Sequence, residues 1–181
     1  MSTRPAIFLD RDGVINQRIY SGYVTRPDEF VLIPGVLEAM KVFARCFDRV
    51  FVVTNQQGIG KGLMTEADLD AIHGGFVSEV QQSGGRVDKI YYCPKLQSEH
   101  SFMRKPAIGM ALQARREFNL PLRQCVMVGD TRSDMLFGRR AGMTTVLVGP
   151  EKEVAQSDPH LVDFYYPDLI SYAKTLEEQA L

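Results

Sequence analysis

The chain is poor in the features that mark special environments. It has only three cysteines, Cys46, Cys93 and Cys125. They are an odd number, widely spaced and in or beside apolar segments, so a disulfide framework is not expected and reduced, buried thiols are. Net charge is -1 over 181 residues, so no basic field advertises binding to nucleic acid or to an anionic membrane surface. No apolar run approaches the ~20 residues of a membrane span. The first residues, Met1-Ser2-Thr3-Arg4-Pro5, run straight into an apolar segment without a signal-peptide pattern, and a cytoplasmic location is the expectation. There is no repeat, low-complexity tract or linker-like shift in composition. What remains is ordinary globular material, 45% hydrophobic and 24% charged, long enough for one well-buried domain spanning 1–181.

Short apolar runs alternate with helix-like segments. Ala6–Leu9, Val50–Val53, Lys89–Cys93, Cys125–Val128 and Thr145–Val148 read as strands, with a sixth at Phe164–Tyr166. Helical periodicity follows Pro34-Gly35, with Val36, Leu37, Met40, Phe43 and Phe47 as its stripe. It returns after Thr65, an N-cap with Asp68 three residues on, with Leu69, Ile72, Phe76 and Val80 facing inward until Ser83-Gly84-Gly85. A third helix runs over about 108–118 on Ile108, Ala111, Leu112 and Phe118, a short one starts near Ser133 and ends at Gly142, and a last one is entered at Asp168. Such alternation predicts an α/β fold, a three-layer Rossmann-like sandwich with a mainly parallel sheet. The segment over 14–33 is too long for a plain connection and reads as a functional loop. Gly58-Ile59-Gly60-Lys61-Gly62 suggests a phosphate loop, but lacks the Gly-Lys-Ser/Thr ending, and reads as a flexible turn bordering the pocket.

Polar groups gather at the ends of these runs: Asp10 and Asp12 around Arg11, Thr54-Asn55-Gln56, Arg104-Lys105, and Asp130 with Asp134. In a parallel sheet such ends share one edge, where open α/β folds place their ligands. Acids, two basic residues, a hydroxyl and an amide suit a phosphate ester together with a hard cation such as Mg²⁺. Each group also has a plainer explanation: Asp10–Gly13 as a solvated Asp-Gly turn, Asp134 as an acid favoured by a helix N-terminus.

The succession Asp-x-Asp-Gly, Val-Thr-Asn, Arg-Lys-Pro and Gly-Asp-x-x-x-Asp, at 10–13, 53–55, 104–106 and 129–134, resembles the haloacid dehalogenase superfamily of phosphohydrolases. Gly22-Tyr23-Val24, Pro34-Gly35-Val36 and Tyr91-Tyr92-Cys93-Pro94 add a likeness to its capless subgroup of D-glycero-D-manno-heptose 1,7-bisphosphate 7-phosphatases and histidinol-phosphate phosphatases. The resemblance implies a haloacid dehalogenase-like fold without a large cap domain and Mg²⁺-dependent hydrolysis through an aspartyl-phosphate. It implies Asp10 as nucleophile, Asp12 as general acid and base, and Thr54 and Lys105 as phosphoryl-binding groups. Asp10, Asp130 and the carbonyl of Asp12 would hold the metal, with Asp134 in support. Ser21, Gly22, Tyr23, Asn55, Gln56, Arg104 and Thr131 would contact substrate.

The implied partner is a small sugar phosphate of carbohydrate metabolism, heptose bisphosphate first, with no nucleic acid or membrane partner and a monomeric enzyme. Histidinol phosphate, a polynucleotide 3′-phosphate and a non-catalytic binding role stand as alternatives. One departure bears on metals. The subgroup usually carries a zinc loop before Arg-Lys-Pro, but here Cys93-Pro94 is followed by Lys95, Ser101 and Met103 at the other ligand positions. One thiolate cannot close a tetrahedral zinc site, and Glu99 and His100 read as a solvated loop. Elemental analysis of the purified protein should therefore find no stoichiometric zinc; one zinc per chain would mean that this loop folds around a metal after all.

Overall fold

In the computed structural model, which describes residues 4–150 and 152–179, the strand-like runs become one parallel sheet. Its strands are β1 (Arg4–Leu9), β2 (Phe47–Asn55), β3 (Lys89–Cys93), β4 (Val126–Gly129), β5 (Thr144–Val148) and β6 (Phe164–Tyr166), in the order β3-β2-β1-β4-β5-β6. Every neighbouring pair is parallel. The connecting helices are α1 (Val36–Cys46), α2 (Gln57–Gly60), α3 (Glu66–Gln82), α4 (Gly109–Phe118), α5 (Arg132–Ala141), α6 (Glu153–Ser157) and α7 (Leu169–Glu178). Of the N-terminal stretch read above, Met1–Thr3 lie outside the described residues.

The period of two along β1 builds the layers. Ile7 and Leu9 join one core with α1, α3 and α7, through Met40, Phe43, Phe76, Val80, Leu169 and Tyr172. Ala6 and Phe8 face the opposite way and pack with α4 and α5, through Met110, Ala111, Ala114 and Phe137. Both faces of the sheet are thus covered, the condition under which all-parallel sheets occur. Among the described residues no cap domain interrupts this frame.

Several boundaries differ from the sequence reading. Phe47 is buried, but as the first residue of β2 directly after α1, not as part of the helical stripe. On α4 the innermost residues are Met110, Ala111 and Ala114, while Ile108, Leu112 and Phe118 are partly buried at the edge of the same core. Residues 57–60 form a helical turn rather than a flexible one, because Gly60 docks on the chain after β3. Its N–H donates to the Pro94 carbonyl at 3.1 Å, and a Cβ there would stand 2.6 Å from that oxygen. At α3 the cap is complete, with the Thr65 hydroxyl accepting from Asp68 N–H and the Asp68 carboxylate accepting from Thr65 N–H.

Phe51 is fully buried at the centre of the second core, its ring 5.1 Å from Phe8, 5.0 Å from Phe118 and 5.8 Å from Tyr91. Phe51→Ala should cost about 3–5 kcal/mol, and Thr65→Ala about 1 kcal/mol, in urea unfolding followed by circular dichroism. Equal losses for the two would contradict this packing.

Candidate active site

The strand order brings the carboxyl ends of β1, β2 and β4 side by side, and the chain reverses its direction of growth between β1 and β4. Ligands in open α/β sheets sit at such a crevice. Asp10 leaves β1 there, its N–H donating to Val128 O at 2.9 Å and so extending the ladder by one residue. Its Oδ1 accepts from Lys105 Nζ at 2.7 Å, and the same ammonium donates to Asp134 Oδ1 at 2.6 Å. All three side chains are buried. Asp134 stands in the first turn of α5, where its Oδ2 accepts the N–H (3.1 Å) and the hydroxyl of Thr131. Burial first, then the Asp134 charge, push the Asp10 carboxyl up to about 8 against the opposing pull of Lys105. Burial and Asp134 also raise Asp130. For Lys105, burial favours the neutral amine, but the two carboxylates win and raise it.

Asp12 is held differently. Its Oδ1 accepts from Arg11 (2.8 Å) and Asn16 (3.0 Å), and its Oδ2 from Gln56 (3.0 Å). Burial would raise this carboxyl, but the Arg11 guanidinium and the three hydrogen bonds together hold it below the ordinary carboxylate range. Gln56 also donates to Thr54 Oγ1 at 2.7 Å, which leaves that hydroxyl's own hydrogen to be donated elsewhere. Asn55 lines the cavity and also serves the site in a second way. Its side-chain amide clamps the Lys105 backbone, donating to the carbonyl at 3.1 Å and accepting from the N–H at 3.0 Å. It therefore acts on the site by fixing Lys105.

Asp130 meets Arg18, a residue of the long loop that no spacing rule marked. Arg18 Nη2 donates to both Asp130 oxygens (3.0 and 2.9 Å) and to the Asp12 carbonyl (2.6 Å), and lies 4.0 Å from Asp10 Oδ2. Gly13 makes room for this arrangement, with φ at +93° and a Cβ position 2.1 Å from Asp130 Oδ2. Three hard oxygen donors around a cationic nitrogen are a donor set that fits Mg²⁺. Asp10, Asp130 and Asp134 also hold ligand atoms within 4.8 Å of one another.

Above these groups opens a cavity of about 470 Å³, walled by Asp10, Asp12, Thr54, Asn55, Gln56, Arg104, Lys105, Thr131 and Asp134, with Ser21, Gly22 and Tyr23 on the loop side. Of the candidate residues, Asp130 alone reaches it through Arg18. Arg11, Arg18 and Gln57, which sequence reading did not mark as site residues, stand on the same walls, joined by Lys61 from the stretch expected to border the pocket. Gln57 donates to Tyr23 Oη at 2.9 Å and Lys61 Nζ lies 5.1 Å from the Tyr23 ring centre, so the helical turn of α2 braces the loop. Around the departed zinc positions, Cys93 is buried at the end of β3. Glu99 is spent on the Leu96 N–H (2.7 Å) and Lys95 (3.1 Å).

Comparison with known proteins agrees with this geometry. The family model of HAD-hydrolase-like proteins matches residues 102–171. A D-glycero-α-D-manno-heptose-1,7-bisphosphate 7-phosphatase of Campylobacter jejuni is 38% identical over 149 residues, 82% of this chain and 84% of the relative. The β-anomer enzyme of Vibrio cholerae is 37% identical over 162 residues, 84% of this chain and 86% of the relative. Among solved structures, D,D-heptose 1,7-bisphosphate phosphatase from B. bronchiseptica, complexed with magnesium and phosphate, superposes with a TM-score of 0.89 at 33% identity, over 97% of this chain and 99% of the other. A haloacid dehalogenase-like hydrolase from Streptococcus pneumoniae shares the fold alone, with a TM-score of 0.64 at 13% identity over 97% of this chain and 99% of the other. The chain belongs to the haloacid dehalogenase-like hydrolases, in the family of heptose-bisphosphate phosphatases, and is a sugar-phosphate phosphatase.

Proposed function

We propose that this phosphatase removes the 7-phosphate of D-glycero-D-manno-heptose 1,7-bisphosphate, of either anomer, with Mg²⁺ and through an aspartyl-phosphate on Asp10. The observation that carries the reaction is the Lys105 ammonium bridging Asp10 and Asp134 at the base of the cavity. It fixes one Asp10 oxygen and leaves the other for attack. The substrate follows from relatives of both anomeric names at 38% and 37% identity, and from Lys61 and Arg104, two cations on the cavity wall suited to a second phosphate.

Asp10 attacks phosphorus in line, the P–O bond to the sugar breaks, and the leaving alkoxide takes a proton from Asp12. Every donor around Asp12 favours its ionised form, so the proton it gives arrives with the substrate; a phosphate monoester with a second pKa near ~6 carries one part of the time at neutral pH. In the second step Asp12, again a carboxylate, takes a proton from water, which attacks the aspartyl-phosphate and releases phosphate and free Asp10. Lys105 and the Thr54 hydroxyl hold the phosphoryl oxygens, and Asp134, Thr131 and Asn55 keep Lys105 in place. Mg²⁺, held by Asp10, Asp130 and the Asp12 carbonyl, would supply positive charge that lets two anions approach.

No helix among the described residues is long and apolar enough to cross a membrane, and the cysteines are free thiols, which suits a cytoplasmic enzyme. On this proposal the enzyme acts as a monomer on a small ester, without a nucleic-acid partner.

Asp10→Asn should lower turnover by at least about 10³-fold with an unchanged circular dichroism spectrum, and EDTA should stop the wild-type enzyme until Mg²⁺ is restored. Full activity in either case would remove the nucleophile or the metal from the mechanism. In a panel of heptose bisphosphate, histidinol phosphate and a 3′-phosphorylated oligonucleotide, kcat/KM should be highest for the first. A higher value for either of the others would replace the substrate assignment and leave the chemistry intact.

A further inference from the structure

Asp10, Asp130 and Asp134 converge beside the cavity, and Lys105 pairs with two of them. One ammonium does not offset three carboxylates. The second cation there is Arg18. Its Nη2 has three oxygens within 3.0 Å, the Asp12 carbonyl and both oxygens of Asp130, while a guanidinium NH₂ has only two hydrogens to give. Oxygens gathered beyond the donor's capacity suit an ion that takes about six of them. They are the oxygens that the mechanism above assigns to Mg²⁺, and this inference rests on that assignment.

We propose that Arg18 is the resident cation of the metal-free site, and that its guanidinium and Mg²⁺ occupy the Asp12 carbonyl and the Asp130 carboxylate in turn, never together. Two features allow the exchange. The Arg18 side chain is 35% exposed and belongs to the loop beside the open cavity, so it can withdraw into solvent without unpacking a core. The oxygens it leaves stay in place, because Gly13 and the ends of β1 and β4 position them rather than Arg18. In the absence of metal, Arg18 relieves the repulsion among the acids and keeps the loop docked. When the ion binds, it must break this ion pair, so its apparent affinity is lower than the oxygens alone would give.

The test uses substrate-free protein: wild type, Arg18→Gln, Arg18→Met as a second variant of different polarity, and Lys61→Gln as a control. Lys61→Gln removes the same charge from the same cavity but not from these oxygens. Mg²⁺ affinity is read by isothermal titration calorimetry, and melting temperature in EDTA and in saturating Mg²⁺. Both Arg18 variants should bind Mg²⁺ about fivefold or more tightly than wild type, the effect of deleting one part-exposed charge-assisted pair. They should melt lower than wild type in EDTA and gain more on adding Mg²⁺, while Lys61→Gln stays within about twofold of wild type, as expected of a charge screened by water. Wild-type affinity or weaker in the Arg18 variants overturns the proposal and leaves the metal assignment standing. Equal tightening by Lys61→Gln also overturns it, as a general field effect. If neither wild type nor Arg18→Gln binds Mg²⁺, the metal assignment fails and the proposal falls with it.

Discussion

The structure depends on one buried ion triad, Asp10–Lys105–Asp134. Taking three charges out of water costs several kcal/mol per ion, and only close pairing offsets that cost. The pairing in turn needs three distant stretches of chain at one point. The parallel sheet provides it: Asp10 follows β1, Asp134 stands one turn into the helix after β4, and Lys105 is tied by Asn55 to the end of β2. Each tie uses backbone or part-buried side-chain groups, so the ammonium has little freedom. A fold with the same strands in another order would leave two carboxylates or one ammonium buried without a partner.

The triad still leaves the site short of positive charge. Against the pull of Lys105, and with Arg18 4.0 Å from its other oxygen, burial and Asp134 still raise the Asp10 carboxyl. Two residues on, Asp12 is driven the other way by Arg11 and its hydrogen bonds. What Asp10 lacks is a further cation, and the oxygens around Arg18 Nη2 are where the fold prepares a place for one.

Most of the frame was legible in the sequence because it rests on local rules. Lys89–Cys93 and Phe164–Tyr166 match their strands residue for residue, and the α3 face of Leu69, Ile72, Phe76 and Val80 is buried as its period demands. The motif residues could be gathered at one edge because strand ends obey a topological rule. What was not legible depends on side-chain direction in loops. Nothing in the spacing says that Asn55 turns its amide on the Lys105 backbone, that Gln56 links Thr54 to Asp12, or that Arg18 folds back onto Asp130. The inner face of α4 was only partly legible for a related reason. Ala114 and Met110 carry weak hydrophobic signals beside Leu112 and Phe118, and only the docking angle of the helix decides which of them meets the sheet.

Arg11 shows how far the site reaches into the core. Its side chain is 1% exposed, a burial that guanidinium groups tolerate only with partners. Nη2 serves Asp12 at 2.8 Å, Nη1 lies 3.3 Å from His73 Nε2 on α3, and the plane sits 5.7 Å from the Phe30 ring centre. His73 can accept from Arg11 only as the neutral ring protonated on Nδ1. Burial, followed by the Arg11 charge, keeps the ring neutral by pushing its pKa down to about 3. The buried imidazole is thus no proton donor at neutral pH but a fixed acceptor, which aims the guanidinium so that its other arm holds Asp12. A helix whose visible task is to cover the sheet thereby sets the orientation of a carboxylate on the far side of a buried arginine.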